Sequence, residues 1–321
     1  MMGGFKKIES TKKGNFWYKN NNEKYLFRTC IVEELVYIEL IMEEIFREFN
    51  VTCVHYEPAM CNEHYGVTCK NFMKPNVNYI DMTDLMLNYL YIVDEDKLDT
   101  FFLSSENLKQ EIKEYIESLK KTKNQKCSDN ISRLVANNYT LDNVICAIEL
   151  KYGVGTEKSK LLIDEIKNLF EIDMLVANSD RNTTNIIIED GFQPKLAPIF
   201  DNEYSFRDGI INGGIRIDSN VSIVSLNVQE YVNKYENNME EKINYLTPNK
   251  LVEIFNKVEN ERHIAIPDSI KSKIYTDYFK HWSRLANVIS NNKRLIWYNY
   301  TKCNHEKVNK LFDFESDGKV R

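Results

Sequence analysis

The chain has 321 residues, of which 43% are apolar and 28% charged, and its formal net charge is −6. This negative charge disfavours a broad nucleic-acid interface, which requires a basic face. No apolar run approaches the roughly 20 residues that span a bilayer, and the N-terminus lacks an apolar signal core, so we expect a cytoplasmic protein with no membrane contact, unless it is exported without a signal.

The first 75 residues predict a small β-rich lobe with one long helix. Residues 14–28 are typical of a hairpin, because two aromatic-rich runs flank a polar turn of three asparagines at 20–22. Residues 31–50 carry apolar side chains at the three-and-four spacing of an amphipathic helix. Two short strands are expected next, within 51–60 and 64–73, with Asn62 and Glu63 between them.

Potential metal ligands cluster in those two strands. They are Cys53, His55, Cys61, His64 and Cys69. Their spacing matches no zinc module, and the seven cysteines of the chain include no C-x-x-C pair. We therefore interpret them as free thiols and imidazoles without a metal.

Residues 76–321 predict a larger, mainly helical lobe. Helices are expected at 105–121, 156–178, near 249–259 and at 267–292, from their caps and apolar periodicity. Within this half, the apolar runs on either side of Gly191 predict a two-stranded ribbon over 185–200. The fold class is therefore α+β, with a β-rich lobe at 1–75 and a helical lobe at 76–321.

Three polar residues bracket that ribbon at a spacing that suits phosphoryl transfer. Asp180 is followed by Asn185 and, after the ribbon, by Asp201. Such chemistry needs a carboxylate near the acceptor hydroxyl and oxygen ligands for Mg²⁺. Taken singly, each residue is more often a turn residue, and together they favour a catalytic and metal site.

The segments around these residues, "MLVANSDRNTTNIII" and "KLAPIFDNEYSF", resemble the catalytic and metal-binding segments of HipA-like kinases. The resemblance implies a two-lobed protein-kinase-like fold that uses ATP and Mg²⁺. It implies Asp180 as the catalytic base and Asn185 and Asp201 as magnesium ligands. Asn182 stands where many relatives have histidine, a position outside these three roles.

The resemblance continues more weakly into the first lobe. It implies a phosphate-binding loop at Ser10, Thr11 and Gly14, with Ser10 or Thr11 as an autophosphorylation site. It also implies a glutamate, Glu39, that pairs with a strand lysine, but the residue at that lysine position is Arg28. A guanidinium suits bidentate phosphate contacts, although it does not replace an ammonium isosterically.

Two further nucleotide contacts stay open at this point. Lys24 lies four residues before Arg28 on the same strand face and could bind phosphate in its place, as could Lys19 on the partner strand. Residues Asn71, Phe72 and Met73 fall where the lobes connect and either contact the adenine ring or form an ordinary loop.

The sequence thus favours a compact, kinase-only serine/threonine protein kinase of the HipA-like type. Its partners would be a protein substrate and an antitoxin-like or host protein, with no direct nucleic acid. Two alternatives remain: a nucleotide-binding pseudokinase that acts through protein interaction, and a kinase for a lipid or small molecule. The acidic charge disfavours a membrane substrate mildly.

Overall fold

The computed structural model describes residues 6–10, 15–21, 23–61, 63–93, 110–115, 117, 129–206 and 228–290. It has the expected α+β class, with one sheet near the N-terminus, a second smaller sheet, and helices over most of the rest. No helix within these ranges is long and apolar enough to cross a membrane.

The first sheet has five antiparallel strands in the order β1-β2-β3-β5-β4. They are β1 (Lys6–Ser10), β2 (Phe16–Asn20), β3 (Glu23–Thr29), β4 (Tyr56–Cys61) and β5 (His64–Lys70). The predicted hairpin is confirmed as β2–β3, and Asn21 in its turn has φ +48°, a left-handed backbone that asparagine tolerates.

The pairing register puts Arg28 on one face of this sheet and an aromatic cluster on the other. Arg28 lies opposite Val67, whereas Phe27 lies opposite Thr68 and Phe16. Since side chains alternate along a strand, Arg28 shares its face with Leu26 and Lys24. On the far face the Phe16 and Phe27 rings stack with centroids 5.1 Å apart. The register therefore aims Arg28 away from this aromatic face.

Helix α1 (Glu34–Glu48) packs against β4 and β5 and confirms the predicted helix, although it begins three residues later than expected. Apart from Tyr37, its side chains from Leu35 to Phe46 are buried, and they cover more than one face of the helix. A helix with such broad burial lies between two layers, and α1 also contacts a C-terminal helix, described below as α8.

The second sheet confirms the predicted ribbon as β7 (Ile187–Asp190) and β8 (Lys195–Leu196). A third strand, β6 (Asn78–Asp81), pairs antiparallel with β7 and was not predicted. Its four residues are too short a run to show alternation. The lobe boundary near residue 75 stays a prediction, and it falls between the last strand of the first sheet and β6.

Eight further helices lie wholly within the described residues. They are α2 (Met82–Val93), α3 (Asp129–Asn138), α4 (Leu141–Tyr152), α5 (Glu157–Leu175), α6 (Val228–Lys234), α7 (Met239–Tyr245), α8 (Pro248–Arg262) and α9 (Asp268–Ser290). Threonine side chains cap α4, α5 and α8 by accepting a bond from a backbone N–H of the first turn. Of the helix predicted at 105–121, residues 110–115 are helical and most of the rest lie outside the described residues.

The cysteine and histidine cluster is dispersed over the first sheet and the loop before it. The Cys53 thiol donates to the carbonyl of Ile199, 3.0 Å away, and burial raises its pKa well above the usual value. His55 instead meets Glu43, with 2.8 Å between Nδ1 and the carboxylate. These contacts give Cys53 and His55 partners within the protein.

Candidate active site

The segment after α5 is fixed before it reaches Asp180. Ala177 has φ +52°, which turns the chain sharply at the end of the helix. The next residue, Asn178, is fully buried; its side-chain amide donates to Asp173, and its carbonyl oxygen accepts the backbone N–H of Asp180 at 3.1 Å. The position of Asp180 is therefore set by α5 rather than by a free loop.

Asp180 and Asn185 lie together, as the sequence predicted. The Asn185 amide donates to the backbone carbonyl of Asp180 at 2.8 Å, and Asn182 donates to the Asp180 carboxylate at 3.2 Å. A short 3₁₀ turn, Thr183–Asn185, makes this possible, and the Thr183 hydroxyl is held by Thr83 of α2 at 2.8 Å. The amide nitrogen of Asn185 is used in this contact, and its side-chain oxygen is the atom predicted to bind the metal.

Asp201 closes the site from the ribbon side. It has φ +62°, a left-handed conformation that few non-glycine residues adopt. Its carboxylate accepts from Nη2 of Arg28 at 2.5 Å, across 173 residues of sequence. Burial raises the pKa of Asp180, and the negative charge of Asp201 raises it further, so the two carboxylates interact.

Arg28 and Glu39 form the pair that the resemblance implied. Their side chains meet at 2.7 Å, and Glu39 is completely buried. Burial raises the pKa of Glu39 to about 7, against the opposing effect of the Arg28 guanidinium. Burial lowers the pKa of Arg28, but the carboxylates around it outweigh this, and the net shift is upward. Arg28 therefore carries its charge at any physiological pH.

A third carboxylate, Glu203, also binds Arg28, at 2.7 Å. Sequence reasoning gave Glu203 no role. Arg28 thus meets Glu39, Asp201 and Glu203 at once, and the site has an excess of negative charge. An excess of carboxylate oxygens suits a hard divalent cation.

This donor set fits a magnesium ion. Asp201 supplies a partly exposed carboxylate, Asn185 an amide oxygen, and Asp180 a second carboxylate whose repulsion by Asp201 a cation would relieve. These are the oxygen ligands that Mg²⁺ takes in nucleotide sites. The residues present are therefore compatible with the predicted metal.

Arg181 holds the two loops of the site together and was missed as a functional residue. It is fully buried and makes a two-point contact with Asp173, at 2.8 and 3.1 Å. It also donates to the Phe200 carbonyl at 2.9 Å and to the Asn202 side chain at 2.6 Å. The signal in the sequence was Asp173, a carboxylate inside the apolar run of α5, which requires a buried partner.

The other predicted nucleotide contacts are placed less tightly. Ser10 is the last residue of β1, and Thr11 and Gly14 lie outside the described residues. The Lys24 ammonium lies over the Trp17 ring, 4.3 Å from its centroid, and not against the carboxylates of the site. It is Arg28, and not Lys24, that the structure brings to Glu39.

Residues Asn71, Phe72 and Met73, predicted either to contact adenine or to form an ordinary loop, lie next to the segment that leads to Asp201. The Asn71 backbone N–H donates to the Lys24 carbonyl at 2.8 Å, and that of Met73 to the Asn71 side chain at 3.2 Å. The Phe72 ring stacks on Phe200, with centroids 5.9 Å apart. Phe72 also lines a cavity of about 750 Å³ that Arg28, Asp180 and Asp201 do not line.

No protein-family model matches the sequence, and no curated protein matches it either. Among solved structures, the chain is similar to the Helicobacter pylori proinflammatory kinase CtkA, at 14% identity over 89% of this chain and 96% of that one, with a TM-score of 0.56. HipA of Shewanella oneidensis MR-1, solved with HipB and operator DNA, is 11% identical over 90% of this chain and 66% of that one, with a TM-score of 0.44. The choline kinase LicA of Streptococcus pneumoniae is 13% identical over 88% of this chain and 93% of that one, with a TM-score of 0.26.

The first of these scores indicates a shared fold. The chain shares the fold of the kinase CtkA, which agrees with the predicted α+β, kinase-like fold.

Proposed function

We propose that the protein is an ATP-dependent serine/threonine protein kinase of the HipA-like type. The observation that carries this proposal is the contact of Arg28 with Asp201 at 2.5 Å, beside Asp180 and Asn185. Packing alone gives no reason to gather one cation and several carboxylates from distant parts of the chain, whereas phosphoryl transfer uses carboxylates and a cation around the phosphates.

Asp180 is the proposed catalytic base. The acceptor hydroxyl gives its proton to the Asp180 carboxylate as its oxygen bonds to the γ-phosphorus and the bond to the bridging oxygen of ADP breaks. Asn182 orients this carboxylate through its 3.2 Å bond. Because burial and Asp201 raise the pKa of Asp180, it is a better proton acceptor near neutral pH than an ordinary aspartate.

Asn185 and Asp201 would hold the magnesium ion, which neutralises phosphate charge when bound. The chain supplies the rest of the nucleotide site. Arg28, held by Glu39, is proposed to bind phosphate oxygens, and its bidentate guanidinium suits them. The other residues predicted to contact the nucleotide remain predictions. They are Ser10, Thr11, Gly14, Lys24, Asn71, Phe72 and Met73.

A second candidate, a nucleotide-binding pseudokinase, is favoured by one observation. The guanidinium of Arg28 is engaged by three carboxylates, from Glu39, Asp201 and Glu203. If these contacts persist when nucleotide binds, Arg28 does not reach the phosphates. The protein would then hold ATP without transferring its phosphate.

Incubation of the purified protein with γ-labelled ATP and Mg²⁺ separates these functions. Parallel reactions contain a generic acceptor protein, phosphoinositide vesicles or choline, and the labelled product is mapped. The kinase proposal expects label on serine or threonine of the acceptor or of the protein itself, lost in Asp201→Asn. Label confined to lipid or choline would replace it with a small-molecule kinase. ATP-dependent thermal stabilisation without label would establish the pseudokinase.

A further inference from the structure

Asn202 follows the metal aspartate and is completely buried between the two lobes. Its backbone N–H points at both oxygens of Glu39, at 3.0 and 3.1 Å, and its side-chain N–H₂ donates to the same carboxylate at 3.2 Å. On the other side, its amide oxygen accepts from Arg181 at 2.6 Å. Asn202 therefore joins the glutamate of α1 to the arginine of the catalytic loop.

Arg181 donates hydrogen bonds to the residues on both sides of Asp201. One nitrogen binds the carbonyl of Phe200 at 2.9 Å, and another binds the side chain of Asn202. Arg181 is itself fixed by Asp173 of α5. The residues before and after Asp201 are thus attached to the rigid part of the helical lobe.

This attachment explains how Asp201 keeps its unusual backbone. A left-handed φ of +62° is unfavourable in a non-glycine residue and persists when its surroundings impose it. The Arg181 and Glu39 contacts of Asn202 supply that constraint immediately after the strained residue. They also fix the direction in which the Asp201 carboxylate leaves the main chain.

An amide is the side chain that this position requires. It must donate to a carboxylate and accept from a guanidinium at the same time, and asparagine does both. An aspartate would place a second carboxylate against Glu39, and an apolar residue would leave two buried charged groups without this partner.

We propose that Asn202 is a positioning residue that sets the metal-binding geometry of Asp201 by coupling Glu39 to Arg181. This proposal rests on the proposed function, because it takes Asp201 as a metal ligand. It predicts an effect on metal affinity that goes beyond the loss of stability expected of any buried asparagine.

Asn202→Ala is the first test variant, and Asn143→Ala is its matched control. Asn143 is also a buried asparagine, donating to the Asn138 carbonyl at 2.7 Å in the helical lobe, away from the site. Asn202→Asp is a near-isosteric second variant that keeps the acceptor for Arg181, should the alanine variant not fold. Thermal melting checks that each variant is folded.

The measured quantity is the affinity for Mn²⁺ in the presence of a non-hydrolysable ATP analogue. Electron paramagnetic resonance measures it. We expect Asn202→Ala or Asn202→Asp to weaken Mn²⁺ binding about tenfold or more, as outer-shell substitutions do, and Asn143→Ala to leave it unchanged. Equal Mn²⁺ affinity in folded Asn202 variants and the control would overturn the proposal.

Failure of the proposed function gives a different pattern. A wild-type protein that transfers no phosphate, but whose Mn²⁺ binding depends on Asn202, refutes the kinase and supports the positioning role. A wild-type protein that binds no Mn²⁺ with the nucleotide analogue overturns both.

Discussion

At the scale of single residues, Glu203 is the group whose removal has the clearest consequence. Its carboxylate lies 2.7 Å from Arg28 and is largely buried. It holds a cation that we assign to phosphate binding, and its negative charge repels an anionic nucleotide. Glu203→Gln should therefore lower the KM for ATP, by about two- to fivefold for one partly screened charge. An unchanged or higher KM in initial-rate measurements at saturating Mg²⁺ would contradict this role.

The same substitution tests the protonation of Asp180. Glu203 contributes to the raised pKa of Asp180, after burial and Asp201. In the proposed mechanism Asp180 acts as a base in its ionised form, so activity should be lost as pH falls through the pKa of Asp180. Removing the Glu203 charge lowers the pKa, and the acidic limb of the kcat profile should move to lower pH. A limb that stays in place, or moves to higher pH, would mean that another group controls it.

At the scale of elements, α1 is attached to the helical lobe by a row of ion pairs. The acidic residues Glu34, Glu43, Glu44 and Glu48 meet Lys273, Arg262, Lys257 and Lys250 of α8 and α9. The same helix carries Glu39, which binds Arg28 and Asn202. These pairs therefore hold Glu39 at the site.

Removing a buried member of this row should cost much more than removing an exposed one. Glu43 is largely buried and meets Arg262 at 2.7 Å, so Arg262→Met is expected to lower the free energy of unfolding by roughly 2 kcal/mol. Lys273→Met is the matched control, because Lys273 is 60% exposed in its pair with Glu34, and it should cost less than about 1 kcal/mol. Urea denaturation measures both. Equal losses would show that the row does not anchor α1.

Local patterns in the sequence predicted the elements that have their own periodicity or turn chemistry. The hairpin, α1, α5 and the ribbon belong to this group. Strand β6 was missed because its four residues show no alternation, and its pairing with β7 joins residues about a hundred positions apart. Such a partner leaves no trace in a local pattern.

At the scale of the whole molecule, the candidate site lies where residues of the first sheet and α1 meet the segment around Asp201. Arg28 reaches Asp201, Glu39 reaches Asn202, and Phe72 stacks on Phe200. The sequence indicated Asp180, Asn185 and Asp201 because a known spacing joins them. It could not indicate Asn202 or Glu203, whose roles depend on contacts with the other lobe. Arg181 was missed for a different reason: an arginine in a polar loop is typical of the surface, and only Asp173 in the apolar run of α5 indicated a buried partner.

Phosphate transfer at the candidate site is proposed to use Asp180 as the base. This proposal is tested most directly by the single-turnover rate of phosphate transfer from γ-labelled ATP in Asp180→Asn, compared with the wild type and with Asp190→Asn. Asp190 is a carboxylate of β7 that accepts from Tyr152 and lies outside the proposed site. We predict that Asp180→Asn binds ATP normally and loses at least about a hundredfold in rate, as removal of a general base does, while Asp190→Asn keeps its rate. Transfer at the wild-type rate by Asp180→Asn would contradict the account.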